Sequence, residues 1–107
     1  MVWILRKKTK QNKLPNDAFL VRKANQKDAK KIVSLVQSMS LHENGRQSQF
    51  TEEIFLRDGF GEKRAFQVLV AEINGNVVGY ALYCSGYDTT RATRGIILSD
   101  LFVEQVW

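Results

Sequence analysis

The order of apolar and polar residues divides the chain into a helical first half and an alternating second half. Phe19 to Lys23 is predicted as a first strand. Asn25 suits a helix N-cap, because its side-chain oxygen can accept a bond from an unpaired backbone N–H. Apolar residues then recur at helical spacing, which predicts a helix from about Gln26 to Leu41. His42 to Gln49 is polar and is predicted as a loop.

The second half begins with a short helix and then changes its period from helical to two. Thr51 is a second N-cap candidate, and Asp58-Gly59 is predicted to end that helix, because glycine accepts the left-handed conformation of a helix stop. Three strands follow, separated by an Asn-Gly-Asn turn and a polar loop. Their predicted ranges are Gln67–Ile73, Val77–Ser85 and Ile96–Val103, with the loop over Gly86–Gly95.

This β-α-α-β-β-β order predicts an α+β fold, an α/β sandwich in which an antiparallel meander carries both helices on one face. Strict alternation places Leu98 and Phe102 on one face of the last strand and Ile97, Leu101 and Val103 on the other. A strand that is apolar on both faces usually has a neighbour beyond it, and no further strand follows in the sequence. We therefore expect an exposed strand edge that is open to self-association.

The excess of positive charge lies at the start of the chain. The 107 residues carry a net charge of +5, and all of this excess comes from five cations between Arg6 and Lys13. Residues 1–16 are therefore predicted to be a basic, disordered leader, and residues 17–107 one domain. The domain itself has no net charge, which argues against nucleic acid as a partner; a nucleic-acid accessory role acting through the leader remains a third hypothesis.

Residue counts exclude several kinds of site. One cysteine, Cys84, and one histidine, His42, permit neither an internal disulfide nor a Cys/His zinc site, and no metal site is predicted. No apolar run approaches the roughly 20 residues that cross a bilayer, so we expect a cytoplasmic protein without a membrane partner. Asp100 stands inside an apolar strand, where a structural and a functional role are equally consistent with the pattern.

Several segments together resemble the Gcn5-related N-acetyltransferase (GNAT) superfamily, and within it the diamine, or spermidine/spermine, acetyltransferase branch. Arg22-Lys23-Ala24 and the helix behind it resemble the family's opening elements. The run Leu56 to Gly61 is similar to a segment of diamine acetyltransferases. Val78 to Tyr83 resembles the central hairpin, and Ile97 to Val103 the family's fourth strand.

The resemblance implies transfer of an acetyl group from acetyl-CoA to a small, polyamine-like or other primary amine. It implies cofactor contacts at Leu101, Phe102 and Val103, where the family's strand runs beside the pantetheine arm. It also implies amine binding by His42, Glu43, Ser99 and Asp100. Ser99 stands where the diamine branch has a glutamate, and the catalytic residues are not assigned.

The family continues beyond this strand with a glycine-rich loop that holds the CoA pyrophosphate and with a C-terminal tyrosine acid. The chain ends at Trp107, so we expect these residues to be the N-terminal half of the fold. We expect that half to be inactive alone, to bind acetyl-CoA weakly or not at all, and to await a complementary C-terminal half. The alternative is a non-enzymatic protein that uses the exposed edge of its last strand as an interaction surface.

Overall fold

The computed structural model describes residues 2–4 and 19–105, which form a five-stranded sheet and two helices. The elements are β1 (Val2–Ile4), β2 (Phe19–Lys23), α1 (Ala29–Asn44, after a 3-10 turn at Gln26–Asp28), α2 (Glu52–Gly59), β3 (Gln67–Ile73), β4 (Asn76–Asp88) and β5 (Thr93–Val103). The strand order is β1-β5-β4-β3-β2. Strands β2 to β5 are antiparallel, and β1 runs parallel to β5.

The predicted α+β architecture is confirmed. Both helices contribute to one core with the sheet: Ile32 and Leu35 of α1 and Phe55 of α2 are fully buried beside Val70 of β3. Within the described residues, no helix is long and apolar enough to cross a membrane.

An ion-pair cluster ties the first antiparallel strand to the start of α1. Asn25 caps the 3-10 turn as predicted, accepting from the Lys27 N–H, while the Asp28 carboxylate accepts from the Asn25 N–H at 2.7 Å. Arg22 donates two bonds to Asp28 at 2.8 and 3.0 Å and a third to Glu72 of β3 at 2.7 Å. The cluster therefore fixes where the chain leaves the sheet and enters the helix.

The end of α1 and the conformation that ends α2 differ from the prediction. Helix α1 continues to Asn44, because the left-handed residue that ends it is Gly45, with φ of 68°. Thr51 caps α2 as predicted, but Gly59 is the last helical residue and Gly61, with φ of 92°, takes the left-handed conformation. Gly59 instead allows close packing, since a Cβ there would lie 2.9 Å from the Phe66 ring. The predicted end of α2 at Asp58-Gly59 is confirmed, but the left-handed conformation predicted for Gly59 was wrong.

The hairpin between β4 and β5 is longer than predicted. The segment over Gly86–Gly95 was predicted as a loop, but pairing extends to Asp88 opposite Thr93, and the turn is confined to residues 89–92. The Asp88 carboxylate accepts from the backbone N–H of Thr90, which closes this turn. Most side chains at this end of the hairpin are exposed among the described residues, and backbone pairing does not require apolar side chains, so polar residues can occupy these positions.

The far edge of β5 is covered in part. Val2–Ile4 pair with Asp100–Phe102, so the prediction that the whole edge is exposed was wrong, as was the prediction of disorder for these three residues. The rest of the predicted leader lies outside the described residues. Within the described part of the chain, Thr93–Ser99 have no neighbouring strand on this side. Val2–Ile4 thus supply a neighbouring strand for part of β5.

Candidate active site

A bulge in β5 lies at two of the predicted site residues, Ser99 and Asp100. Leu82 pairs with Asp100, and its successor Tyr83 pairs with Leu98, so Ser99 has no residue opposite it on β4. Bulges bend a strand, remove backbone groups from the ladder and re-aim side chains, and they are frequent beside active sites. The Ser99-Asp100 dipeptide therefore lies at the least regular point of the strand.

The bulge also reverses the facing of the residues before it. Residues directly opposite each other in a sheet share a face, and Tyr83 faces away from its neighbour Leu82. Leu98 therefore faces the side opposite to Phe102, contrary to the alternation predicted from the sequence. One inserted residue accounts for the error.

Asp100 is held by a buried tyrosine. The Tyr80 hydroxyl donates to the Asp100 Oδ2 at 3.1 Å and lies 3.5 Å from the Met39 sulfur of α1. Tyr80 is 2% exposed, and burial, followed by the charge and hydrogen bond of Asp100, raises the pKa of its hydroxyl. The phenol is therefore a permanent donor that orients the half-buried carboxylate.

His42 and Glu43 lie in the last turn of α1, not in a loop as predicted, and both are exposed. Glu43 follows Met39 by four residues, and such residues share a face of a helix. Since Met39 touches Tyr80 beside Asp100, this spacing puts Glu43 about one turn, or 6 Å, further along the same face. Glu43 therefore lies on the face of α1 that carries Met39, while Asp100 is bonded to the Tyr80 hydroxyl that Met39 touches.

The segment after α1 is fixed to the helix by two side chains. The Gln37 amide exchanges bonds with the Ser48 backbone, donating at 2.9 Å and accepting at 2.8 Å. The buried Ser40 hydroxyl donates to the Arg46 carbonyl at 2.7 Å. An open cleft of about 460 Å³ beside it is lined by Ser40, Asn44, Arg46 and Gln47. Its lining contains a cation and no acid, which suits a cationic amine poorly.

The three predicted cofactor contacts differ in accessibility. Phe102 is 8% exposed, and its ring centroid lies 6.4 Å from that of Tyr80, so its side chain belongs to the core. Leu101 and Val103 are half-buried on the other face. Gly79 brings β4 close here, since a Cβ at this position would lie 2.9 Å from the Phe102 carbonyl oxygen. A ligand can therefore reach Phe102 only through its backbone.

The structure brings together some of the predicted residues. Ser99 and Asp100 are adjacent on β5 and lead directly into Leu101, whereas His42 and Glu43 lie exposed at the end of α1, the helix whose Met39 touches Tyr80. Cys84 is half-buried, with its sulfur 3.9 Å from the Ser99 hydroxyl. Within the described residues, no three His, Cys, Asp or Glu side chains are grouped to hold a metal ion.

Sequence reasoning missed the role of Tyr80. The signal that could have indicated this role is the position of Tyr80 on β4, two residues before Leu82. That strand is expected to pair with the strand that carries Asp100. Without the register, that position was indistinguishable from a core aromatic residue.

Solved structures of other proteins share the fold of this chain. The chain matches the structure of a possible acetyltransferase from Clostridium difficile 630 with a TM-score of 0.63 at 14% identity, covering 81% of this chain and 58% of that one. It matches the ribosomal-protein-alanine N-acetyltransferase of Brucella melitensis biovar Abortus 2308 with a TM-score of 0.62 at 23% identity, covering 81% and 57%.

Sequence relatives narrow this fold to a family. The chain is 34% identical over 94 residues to thialysine N-epsilon-acetyltransferase of Bos taurus, covering 79% of this chain and 55% of that protein. It is 31% identical over 99 residues to spermidine/spermine N(1)-acetyltransferase-like protein 1 of Homo sapiens, covering 85% and 14%. No family model matches the chain. The relatives and the fold place the chain in the GNAT superfamily. The chain spans about half the length of the bovine relative.

Proposed function

We propose that the chain forms the part of a GNAT-type N-acetyltransferase that carries the amine site and the pantetheine strand. The enzyme would transfer an acetyl group from acetyl-CoA to a small primary amine. The observation that supports this proposal best is the bulge at Ser99-Asp100, where a carboxylate held by Tyr80 directly precedes the strand segment Leu101–Val103.

The proposed reaction needs an uncharged amine next to the thioester. An ammonium ion is attracted by carboxylates, and the two candidates are Asp100, bonded to Tyr80, and Glu43, about one helical turn beyond the Met39 that touches Tyr80. After the ammonium loses its proton to a base, the amine nitrogen attacks the acetyl carbonyl carbon. The carbon–sulfur bond would then break, the nitrogen would give up one proton to become the amide, and the departing CoA thiolate would take up one proton. Ser99 supplies a hydroxyl but no charge, so it can orient an amine without neutralising it.

Acetyl-CoA would lie along the backbone of Leu101–Val103. Its pantetheine arm contains two amides, which can pair with a strand edge as a peptide does. The edge at Asp100–Phe102 has the geometry for this, because it accepts a parallel strand. The buried ring of Phe102 keeps the backbone at this point rigid.

We expect a polypeptide of these 107 residues alone to bind acetyl-CoA weakly and to show no turnover. The proposal is tested by fusing it to the remaining part of the bovine thialysine N-epsilon-acetyltransferase and measuring thiol release with thialysine and with spermidine. The matched variants are Glu43→Gln and Asp100→Asn, with Glu62→Gln, an exposed acid before β3, as the control.

The proposal expects turnover by the fusion and a loss of about tenfold or more in kcat/KM for each site variant, because removing a charged hydrogen-bond partner costs about 1.5–3 kcal/mol. The control variant should match the parent. A folded fusion that neither binds nor turns over acetyl-CoA contradicts the proposal.

A second candidate function is that of a non-enzymatic protein that pairs through β5. It is favoured by Ile96 and Ile97, which are 68% and 53% exposed on a segment that has no outer neighbour among the described residues. Light scattering over a range of concentrations distinguishes the two, since this function requires a stable dimer or complex.

A further inference from the structure

The outermost strand of the sheet lies on the backbone segment assigned to the cofactor. β1 pairs in parallel with β5, Val2 opposite Asp100, Trp3 opposite Leu101 and Ile4 opposite Phe102. The outward backbone groups of Leu101 and Phe102 therefore already face a peptide strand. An extended pantetheine arm and a peptide strand both present amide N–H and C=O groups to such an edge.

We propose that β1 is a built-in competitor of the pantetheine arm, so that acetyl-CoA binds only when Val2–Ile4 leave the edge of β5. This inference rests on the proposed function, which assigns Leu101–Val103 to the cofactor. The edge can hold one extended chain at a time, because neighbouring strands are only about 4.8 Å apart.

The contact is short enough to be displaced. β1 pairs with three residues of β5, whereas β4 pairs with ten. Each net backbone hydrogen bond shifts the equilibrium between docked and undocked β1 by about two- to twelvefold. Parallel strand pairing is slightly less stable per residue than antiparallel pairing. One or two net bonds give a docked state favoured by about five- to thirtyfold, and the apparent affinity for a competing ligand falls by that factor.

The connection to the rest of the chain permits undocking. β1 and β2 lie at opposite edges of the sheet, separated by four strand spacings or about 19 Å. Residues 5–18 join them, and an extended connection of this length reaches about 50 Å. Release of β1 therefore does not require β2 to leave the sheet.

The test uses the full chain with proline substitutions, which remove a backbone donor without changing the charge of the basic segment. Trp3→Pro and Ile4→Pro are both made, because alternate residues of a strand point their N–H groups towards the neighbour. Thr9→Pro, outside β1, is the matched control. Amide hydrogen exchange by NMR reports on docking, and titration calorimetry with acetyl-CoA reports on binding.

At least one β1 variant should expose amides of Asp100–Phe102 to faster exchange and bind acetyl-CoA about five- to thirtyfold more tightly than the parent, while Thr9→Pro matches the parent. Protected Val70 amides in every variant establish that the sheet remains folded. Unchanged exchange at Asp100–Phe102 would show that β1 is not docked and overturn the inference alone. Faster exchange with unchanged affinity would also overturn it. Faster exchange with no detectable acetyl-CoA binding in any variant would also overturn the inference, while the cofactor assignment itself is decided by the fusion to the bovine relative.

Discussion

Replacing Asp28 by asparagine should lower the unfolding free energy of the chain by about 2 kcal/mol at neutral pH. The Asp28 side chain is 9% exposed and accepts two bonds from Arg22 and one from the Asn25 backbone. Asparagine has the same shape, but it has one acceptor oxygen and no charge. Because both oxygens of Asp28 accept from Arg22, the NH₂ group of asparagine would face the guanidinium in either orientation, and at least one donor would lose its partner.

The expected magnitude follows from the number and kind of bonds lost. A hydrogen bond to a charged group contributes about 1.5–3 kcal/mol, and breaking a fully buried pair costs about 3–5 kcal/mol. Arg22 is 28% exposed and keeps its bond to Glu72 at 2.7 Å. The loss should therefore lie in the lower part of these ranges, at about 2 kcal/mol.

The pH dependence has a definite sign. The Arg22 hydrogen bonds hold the pKa of Asp28 below its usual value of 3.8. A carboxyl group whose folded pKa lies below its unfolded pKa stabilises the fold above the unfolded value. That contribution is lost as the pH falls through the folded pKa. The difference between the parent and Asp28→Asn should therefore be constant near pH 7 and should shrink below about pH 4.

Urea unfolding, followed by circular dichroism at pH 7 and at pH 3, measures both quantities. Asp58→Asn is the matched control, because Asp58 also pairs with an arginine, Arg57, at 2.8 Å. This pair differs from that of Asp28 in that the Arg57 side chain is 67% exposed. The control should have little effect on the midpoint. The reasoning would be refuted if Asp28→Asn were no more destabilising than Asp58→Asn, or if its effect were as large at pH 3 as at pH 7.

Three further outcomes are expected. Tyr80→Phe should lower stability by about 1 kcal/mol, because it removes the buried bond to Asp100; urea unfolding measures this, and an unchanged midpoint would contradict the bond. Gly79→Ala should destabilise by about 1–3 kcal/mol, because its Cβ would lie 2.9 Å from the Phe102 carbonyl oxygen; a melting temperature equal to the parent's would show that β4 and β5 separate at no cost. Ile97→Lys should reduce concentration-dependent association in light scattering, and a parent that stays monomeric at every concentration would refute an adhesive edge.

Local signals in the sequence predicted those elements whose ends are set by short-range chemistry. Asn25 and Thr51 cap the predicted helices, and the strand Gln67–Ile73 has the predicted bounds. Caps and tight turns depend on one or two side chains near the backbone they satisfy, so the sequence contains the whole cause.

The errors came from features that depend on distant partners. Gly59 has the sequence signature of a helix stop, but the Phe66 ring decides its role. Docking of Val2–Ile4 on β5 joins residues almost a hundred positions apart, and the basic residues that follow Ile4 masked a strand-forming segment.

The candidate site was predicted in its residues but not in its arrangement. Asp100 was singled out as a carboxylate in an apolar strand, and the structure provides its partner, Tyr80. The placement of Glu43 was predicted wrongly, because the left-handed Gly45 ends α1 three residues later than the predicted Leu41.

Ser99, which has no residue opposite it on β4, interrupts the alternation of faces along β5. In an uninterrupted strand, residues on one face differ by an even number of positions, but here Leu98 and Leu101 share a face although they are three apart. Substitutions at these two positions should therefore compensate each other, while substitutions at Leu98 and Asp100 should be independent. Deleting Ser99 would make Asp100 follow Leu98 directly, and these two residues already face opposite sides and pair with consecutive residues of β4. Ile96–Leu98 would keep their facing and the hairpin its register, so the deletion would remove only the bulge beside Asp100.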